Sequence, residues 1–187
     1  TFADPIFGVG KSCSYVATGG AGTASLVAAG FRPHHFDVTT RAACGVFSYA
    51  GQPFSATVTA RNASGGTTLN FDGGANTSPN MARLVTISEA SGNATGSLSG
   101  TAIAASAFAS GVGVASSLAF GFSNKLTVPQ TISLRATDTD GVSSSGYTEG
   151  SMALRSGRLR LSNAFGSAKA ALQVPVVAEY WLAQLID

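Results

Sequence analysis

The sequence predicts an all-β chain: an antiparallel immunoglobulin-like β-sandwich with an irregular N-terminal segment. Three observations carry that expectation. Apolar and polar residues alternate with period two in several short runs, the side-chain facing of a half-buried strand. Clusters of Gly, Asn, Asp and Ser separate the runs at roughly 8–12-residue spacing, as turns do in a sandwich. Helical periodicity is scarce, so the crossovers that a parallel sheet needs are not in view.

In chain order, residues 1–32 come first, with FGVGKSCSYVATGGAGTASLVAAGF at their centre. They are rich in small residues, weakly patterned, and expected to be irregular. Residues 33–142 are expected to form the immunoglobulin-like module. In FSATVTARN (54–62), Phe54, Ala56, Val58 and Ala60 face one way while Ser55, Thr57, Thr59 and Arg61 face the other. MARLVTISE (81–89) sets Leu84 beside the β-branched Val85, Thr86 and Ile87. Gly-rich 111–121 feeds the strand SLAFGF before Asn124 and Lys125 turn the chain. TISLRATD (131–138) alternates Ile132, Leu134 and Ala136 against Ser133, Arg135 and Thr137. Turn clusters NASGG (62–66), DGGANTSPN (72–80), SGN (91–93), TDTDG (137–141) and SGYTEG (145–150) punctuate these runs. Residues 143–187 are expected to add further strands, the start of a second β module or an exchanged strand. RLRLSNAF (158–165) alternates Leu159 and Leu161 with Arg158 and Arg160. QVPVVAEYWLAQLID is strand-like from Val174 to Trp181, with Pro175 favouring an edge position.

Composition narrows the function classes. At 187 residues a sizeable core can form, with roughly 70% of the unfolded surface buried. Charged residues make up 11%, against about 25% in an ordinary globular protein, so the surface is neutral and hydroxyl-rich. Eleven basic and nine acidic side chains give a net charge of +2, too small and dispersed for a nucleic-acid footprint. No apolar run reaches the 18 or so residues of a membrane span, because Ser and Gly interrupt 99–122 throughout. The chain opens at Thr1 without a basic, apolar leader, and an export signal is expected to have been removed or to lie upstream in a longer precursor. Cys13 and Cys44 suit one disulfide, worth about 3 to 4 kcal/mol in the chain-entropy view; two buried thiols are the alternative.

TDTDGVSSSGYTE (137–149) holds the most suggestive acids. With Asp138 at position one, Asp140 falls at three and Glu149 at twelve, the carboxylate spacing of a helix-loop-helix calcium loop. Val142 and Ser143 stand where that loop needs an oxygen ligand and a Gly, and strand-like TISLRA and SMALR flank it. A turn with Asp138 and Asp140 capping backbone amides is the better reading, and a calcium site on Asp138, Asp140 and Glu149 across a hairpin is the functional alternative. GVGKS (8–12) resembles a phosphate loop, but Pro5 stands where the motif needs Gly. His34 and His35 are adjacent, so on a regular strand they face opposite sides and cannot share one metal. No Gly-x-Ser-x-Gly elbow or marked triad occurs, and no enzymatic role is expected. Arg155, Arg158 and Arg160 could strip a strand with positive charge for a partner's carboxylates or an anionic glycan. The structural alternative pairs them with acids on the next strand. Tyr147, Tyr180 and Trp181 are candidates for a sugar-stacking platform, with core and rim packing as the alternative.

FRPHHFDV (31–38), CGVFSYAGQPFSATVTARNASGGTTLNFDG (44–73), LRATDTDGVSS (134–144) and GRLRLSNAFGSAKAALQVPVVAEYW (157–181) together resemble the C-terminal region of MshQ-like proteins of the mannose-sensitive haemagglutinin type IV pilus. The resemblance covers residues 31–181. It implies an exported bacterial protein of the cell surface or pilus, often with a lectin-like domain upstream. It carries over no catalytic or binding residue, since that region has none assigned. Members typically run from the Tyr–Trp pair into a polar turn, more strands and a further cysteine, whereas here Trp181 is followed by LAQLID. The leading expectation is a structural or adhesive module that assembles with other protein subunits, including copies of itself, through strand-mediated contacts in a filament. The alternative is a carbohydrate- or calcium-dependent binding module.

Overall fold

The computed structural model describes residues 32–74, 81–92, 94–167 and 169–180. Alternation becomes extended structure along most of that length. The strands are β1 (His35–Arg41), β2 (Phe47–Tyr49), β3 (Phe54–Arg61), β4 (Val85–Glu89), β5 (Gly96–Ser99) and β6 (Ala102–Ile103). A 3-10 turn at Ala105–Ala107 precedes β7 (Val112–Phe122), β8 (Gln130–Asp138), β9 (Gly150–Arg155), β10 (Gly157–Leu161) and β11 (Val176–Tyr180). β3 buries every second residue without exception: Phe54, Ala56, Val58 and Ala60 point inward, as their spacing requires. β8 does the same with Ile132, Leu134, Ala136 and Asp138.

Two sheets make the body. One has the order β1-β3-β7-β5 and is antiparallel throughout; the other has the order β2-β9-β8-β4-β6. In the second sheet β2 runs parallel to its neighbour β9, and the other pairs are antiparallel. The layout is sandwich-like and compatible with an immunoglobulin-like arrangement. β1 would be an open edge, but the β8–β9 connection covers it. Phe36 N donates to Ser143 O at 3.3 Å and Val38 N to Thr148 O at 2.8 Å, while Thr40 Oγ1 donates to Ser151 O at 2.7 Å. A covered edge cannot template a foreign strand.

Between the sheets lies one core in which Phe36, Phe71, Phe108, Phe120, Leu118 and Leu134 are almost wholly buried. Each such side chain contributes about 1.5–3 kcal/mol through removal from water. The rings of Phe36, Phe71 and Phe108 form an edge-to-face chain with centroids 5.5 and 4.9 Å apart. Gly113 makes room for it: a Cβ there would lie 2.7 Å from the Phe108 ring.

The expected break after residue 142 does not divide the molecule. Ser144 N donates to Ala136 O at 3.0 Å, and β9 lies hydrogen-bonded between β2 and β8, so residues 143–155 complete the sandwich. The chain leaves the sandwich only beyond Ser156. There β10 and β11 form a separate two-stranded antiparallel ribbon, Gly157 opposite Tyr180 and Leu161 opposite Val176. Residues 1–31, the bulk of the segment expected to be irregular, lie outside the described residues.

Candidate functional site

The acids at the end of β8 are held by the protein itself. Asp138 Oδ1 accepts hydrogen bonds from Asp140 N at 2.9 Å and Val142 N at 2.8 Å, an Asx-type turn. Gly141, at φ +80°, supplies the left-handed step that closes it. Asp140 instead faces Arg83, Nε to Oδ2 3.2 Å, and Glu149 faces Arg135, Nε to Oε1 2.5 Å. The expected calcium set Asp138, Asp140 and Glu149 is not gathered at one point: Asp140 and Glu149 each pair with a different arginine, and Asp138 caps its own turn. Among the described residues no three of His, Cys, Asp and Glu converge as metal ligands. Asp138 is only 6% exposed and its Oδ2 has no hydrogen-bond partner. Burial pushes its carboxyl above the usual aspartate range, outweighing the two backbone hydrogen bonds that favour the anion.

Cys44 is half-buried, with Sγ 3.4 Å from Gln52 Oε1, and forms no disulfide among the described residues. Cys13, its expected disulfide partner, lies outside the described residues.

The three arginines do not form one basic strip. Arg155, at the end of β9, tucks its guanidinium against the Tyr180 ring at 4.1 Å and the Phe47 ring at 4.8 Å. That stack pins the base of the ribbon to β2. Arg158 and Arg160 converge on Glu179 of the opposite strand, Arg158 Nη2 to Oε2 at 2.8 Å and Arg160 Nε to Oε1 at 2.6 Å. Hydrogen bonding from Arg158, joined by the charge of Arg160, holds the Glu179 carboxyl below its usual range. The cross-strand pairing alternative is the one realised.

Register sorts the ribbon into two faces. Arg158, Arg160, Val177 and Glu179 share one; Leu159, Leu161, Val176, Ala178 and Tyr180 share the other. Leu159 is 72% exposed, Leu161 67% and Val176 54%. Beneath it a groove of about 280 Å³ lies between Tyr49, Ala50 and the ribbon residues Gly157, Leu159 and Ala178. An apolar face built with strand periodicity is thus left uncovered on a two-stranded ribbon. RLRL carries the alternation in sequence, but VVAEY does not, and only pairing shows that Leu159, Leu161, Val176, Ala178 and Tyr180 share a face while Val177 joins the charged one.

Tyr147 and Tyr180 are engaged at separate places. Tyr180 serves the ribbon base, Trp181 lies outside the described residues, and Tyr147 stacks on His35 with ring centroids 3.7 Å apart and 13° between planes. His34 sits at a bend just before β1. That irregular backbone overturns the expectation that the two histidines face apart: their Nδ1 atoms are 3.1 Å from each other, and Tyr147 Oη is 3.4 Å from His34 Nδ1. Behind them, Asp37 Oδ1 is 3.8 Å from His35 Nε2, and Asp37 Oδ2 accepts from Arg61 Nε at 2.8 Å. Burial lowers the His35 pKa, against the pull of Asp37 and with help from His34 and Arg61. Burial raises the Asp37 pKa, but hydrogen bonds from Arg61 and Thr148 outweigh it and the net shift is downward.

Comparison with curated proteins and with solved structures returns no match. A family described as DUF6701, third domain, matches residues 11–156, which end one residue before the ribbon begins. The sandwich and the match coincide at their C-terminal limit, and on that match the chain belongs to the DUF6701 third-domain family.

Proposed function

We propose that this chain is a structural module of an exported bacterial surface or pilus-associated protein, and that the β10–β11 ribbon is the element through which it joins neighbouring subunits. The observation that carries this reading is the uncovered apolar face of the ribbon, Leu159, Leu161 and Val176, on a hairpin of two strands. An isolated hairpin of that size is marginal in water and gains stability when a third strand or a second apolar surface covers it. The description of the family as a third domain fits a module that works beside others. The resemblance to MshQ-like proteins supports the surface location, and the low charge of the chain suits a role carried by contact area rather than by electrostatic steering.

The alternative, a carbohydrate- or calcium-dependent binding module, draws no support from Asp140 and Glu149, which are paired with Arg83 and Arg135, nor from Tyr147, one face of which is taken by His35. The test is to compare the full chain with one ending at Ser156, using light scattering on a sizing column and negative-stain micrographs. Higher-order species should form with the full chain and disappear on truncation. Identical profiles for the two chains would refute a ribbon-mediated role.

A further inference from the structure

The connection from β8 to β9 is fastened over β1 by backbone and side-chain contacts together. Phe36 N donates to Ser143 O and Val38 N to Thr148 O, which closes the strand edge, and the Thr148 side chain hydrogen-bonds Asp37. Beside these bonds Tyr147 lies flat on the buried His35 ring, centroids 3.7 Å apart and planes 13° from parallel. His35 Nδ1 in turn faces His34 Nδ1 at 3.1 Å. We propose that this cluster is an acid-sensitive latch: when His34 and His35 are both protonated, the connection carrying Tyr147 lifts and the edge of β1 is uncovered.

The two facing nitrogens set the threshold. In the closed arrangement one Nδ1 carries a proton and the other accepts it. One further proton can sit on an outer nitrogen without disturbing that bond. With both rings protonated, the facing atoms are both N–H donors and two like charges meet. The groups facing His35 do not cancel this. Asp37 on β1 attracts the charged ring from 3.8 Å, but its other oxygen is held by Arg61 of β3 at 2.8 Å, and Arg61 stands directly across the ladder from His35. From the connection comes the Tyr147 ring, which keeps water off one face. Burial, joined by the charges of His34 and Arg61, therefore holds the His35 pKa below 6.5 against the pull of Asp37. Lifting the connection returns the ring to water and to its ordinary value of 6.5. The closed form keeps its full advantage above that pH and loses it as pH falls toward the lower closed-state value, by up to about tenfold in the opening constant per pH unit for one proton. The latch needs nothing from the ribbon and is independent of the assembly role.

The chain holds only two histidines, which makes the test specific. Amide hydrogen exchange of the full chain, followed by NMR from about pH 7.5 to about pH 5.5, reads the latch at Phe36 and Val38, whose amides the connection covers. Their protection factors should fall several-fold, up to about tenfold, while that of Val58 in the middle of β3 holds. His35→Phe keeps a ring under Tyr147 but takes no proton, and should make the protection of both amides independent of pH. His34→Gln, an exposed change, removes the facing charge and should make the slope shallower; it carries the test if His35→Phe does not fold. Asp138, at the start of the connection, titrates in all three chains and cancels in the comparison. A flat wild-type profile, or a variant profile parallel to the wild type, would overturn the latch.

Discussion

Replacing both leucines of the ribbon face, Leu159→Ser with Leu161→Ser, separates a docking surface from an incidental apolar one. Full burial of a leucine side chain is worth about 1.5–3 kcal/mol. Leu159 is 72% and Leu161 67% exposed, so roughly two thirds of that value remains to be gained on docking, about 1–2 kcal/mol each. Together the substitutions should weaken association by about 2–4 kcal/mol, or about 30- to 700-fold in Kd. The isolated chain should change little, within about 0.5 kcal/mol, because neither side chain supports the sandwich core. Sedimentation velocity over a concentration series reads the first effect, and urea unfolding followed by fluorescence reads the second. An unaltered association constant refutes the docking role. A loss of several kcal/mol in the isolated chain would show instead that the ribbon is part of the folding unit.

Two further predictions concern the body of the sandwich. Gly73→Ala should destabilise by about 3 kcal/mol, since its Cβ would stand 1.7 Å from the backbone oxygen of Ala105 and neither segment can yield cheaply. Gly51→Ala, at φ +76° with open space around it, should cost only the left-handed strain of about 1–2 kcal/mol; equal losses in urea titrations would discredit the close-approach argument. Asp138→Asn should flatten the pH dependence of stability on the acidic side. The folded-state pKa of Asp138 is raised, so the unfolded chain ionises first, and the wild type loses stability as pH climbs from the ordinary value of about 3.9 through the folded-state value. Unfolding curves between about pH 4 and 7 should show wild type falling relative to the variant with rising pH, and parallel curves would contradict it.

Period-two alternation is a local property, and it located β3, β8 and β10 in the sequence to within a few residues; in β3 and β8 it reflects one buried side, whereas β10 leaves both sides exposed. β1 is harder to read: Phe36 and Val38 are fully buried, but they are the only two large apolar residues on its inward side, and the polar Thr39, Thr40 and Arg41 end the alternation. β2 is three residues long and pairs in parallel with β9, which no local pattern announces. Partner choice belongs to the tertiary structure alone. Arg155 is two residues from Gly157 yet turns toward Phe47 and Tyr180, while Arg158 and Arg160 meet Glu179 across the ribbon. Glu149 lies near Asp138 and Asp140 in sequence but goes to Arg135, which removes the calcium set. The His34–His35–Tyr147 cluster exists only because a bend precedes β1 and the β8–β9 connection folds over it. Sequence thus determined which residues turn inward, a matter of spacing along the chain; which charged and aromatic groups meet was decided by strand order and register, which join residues far apart in sequence.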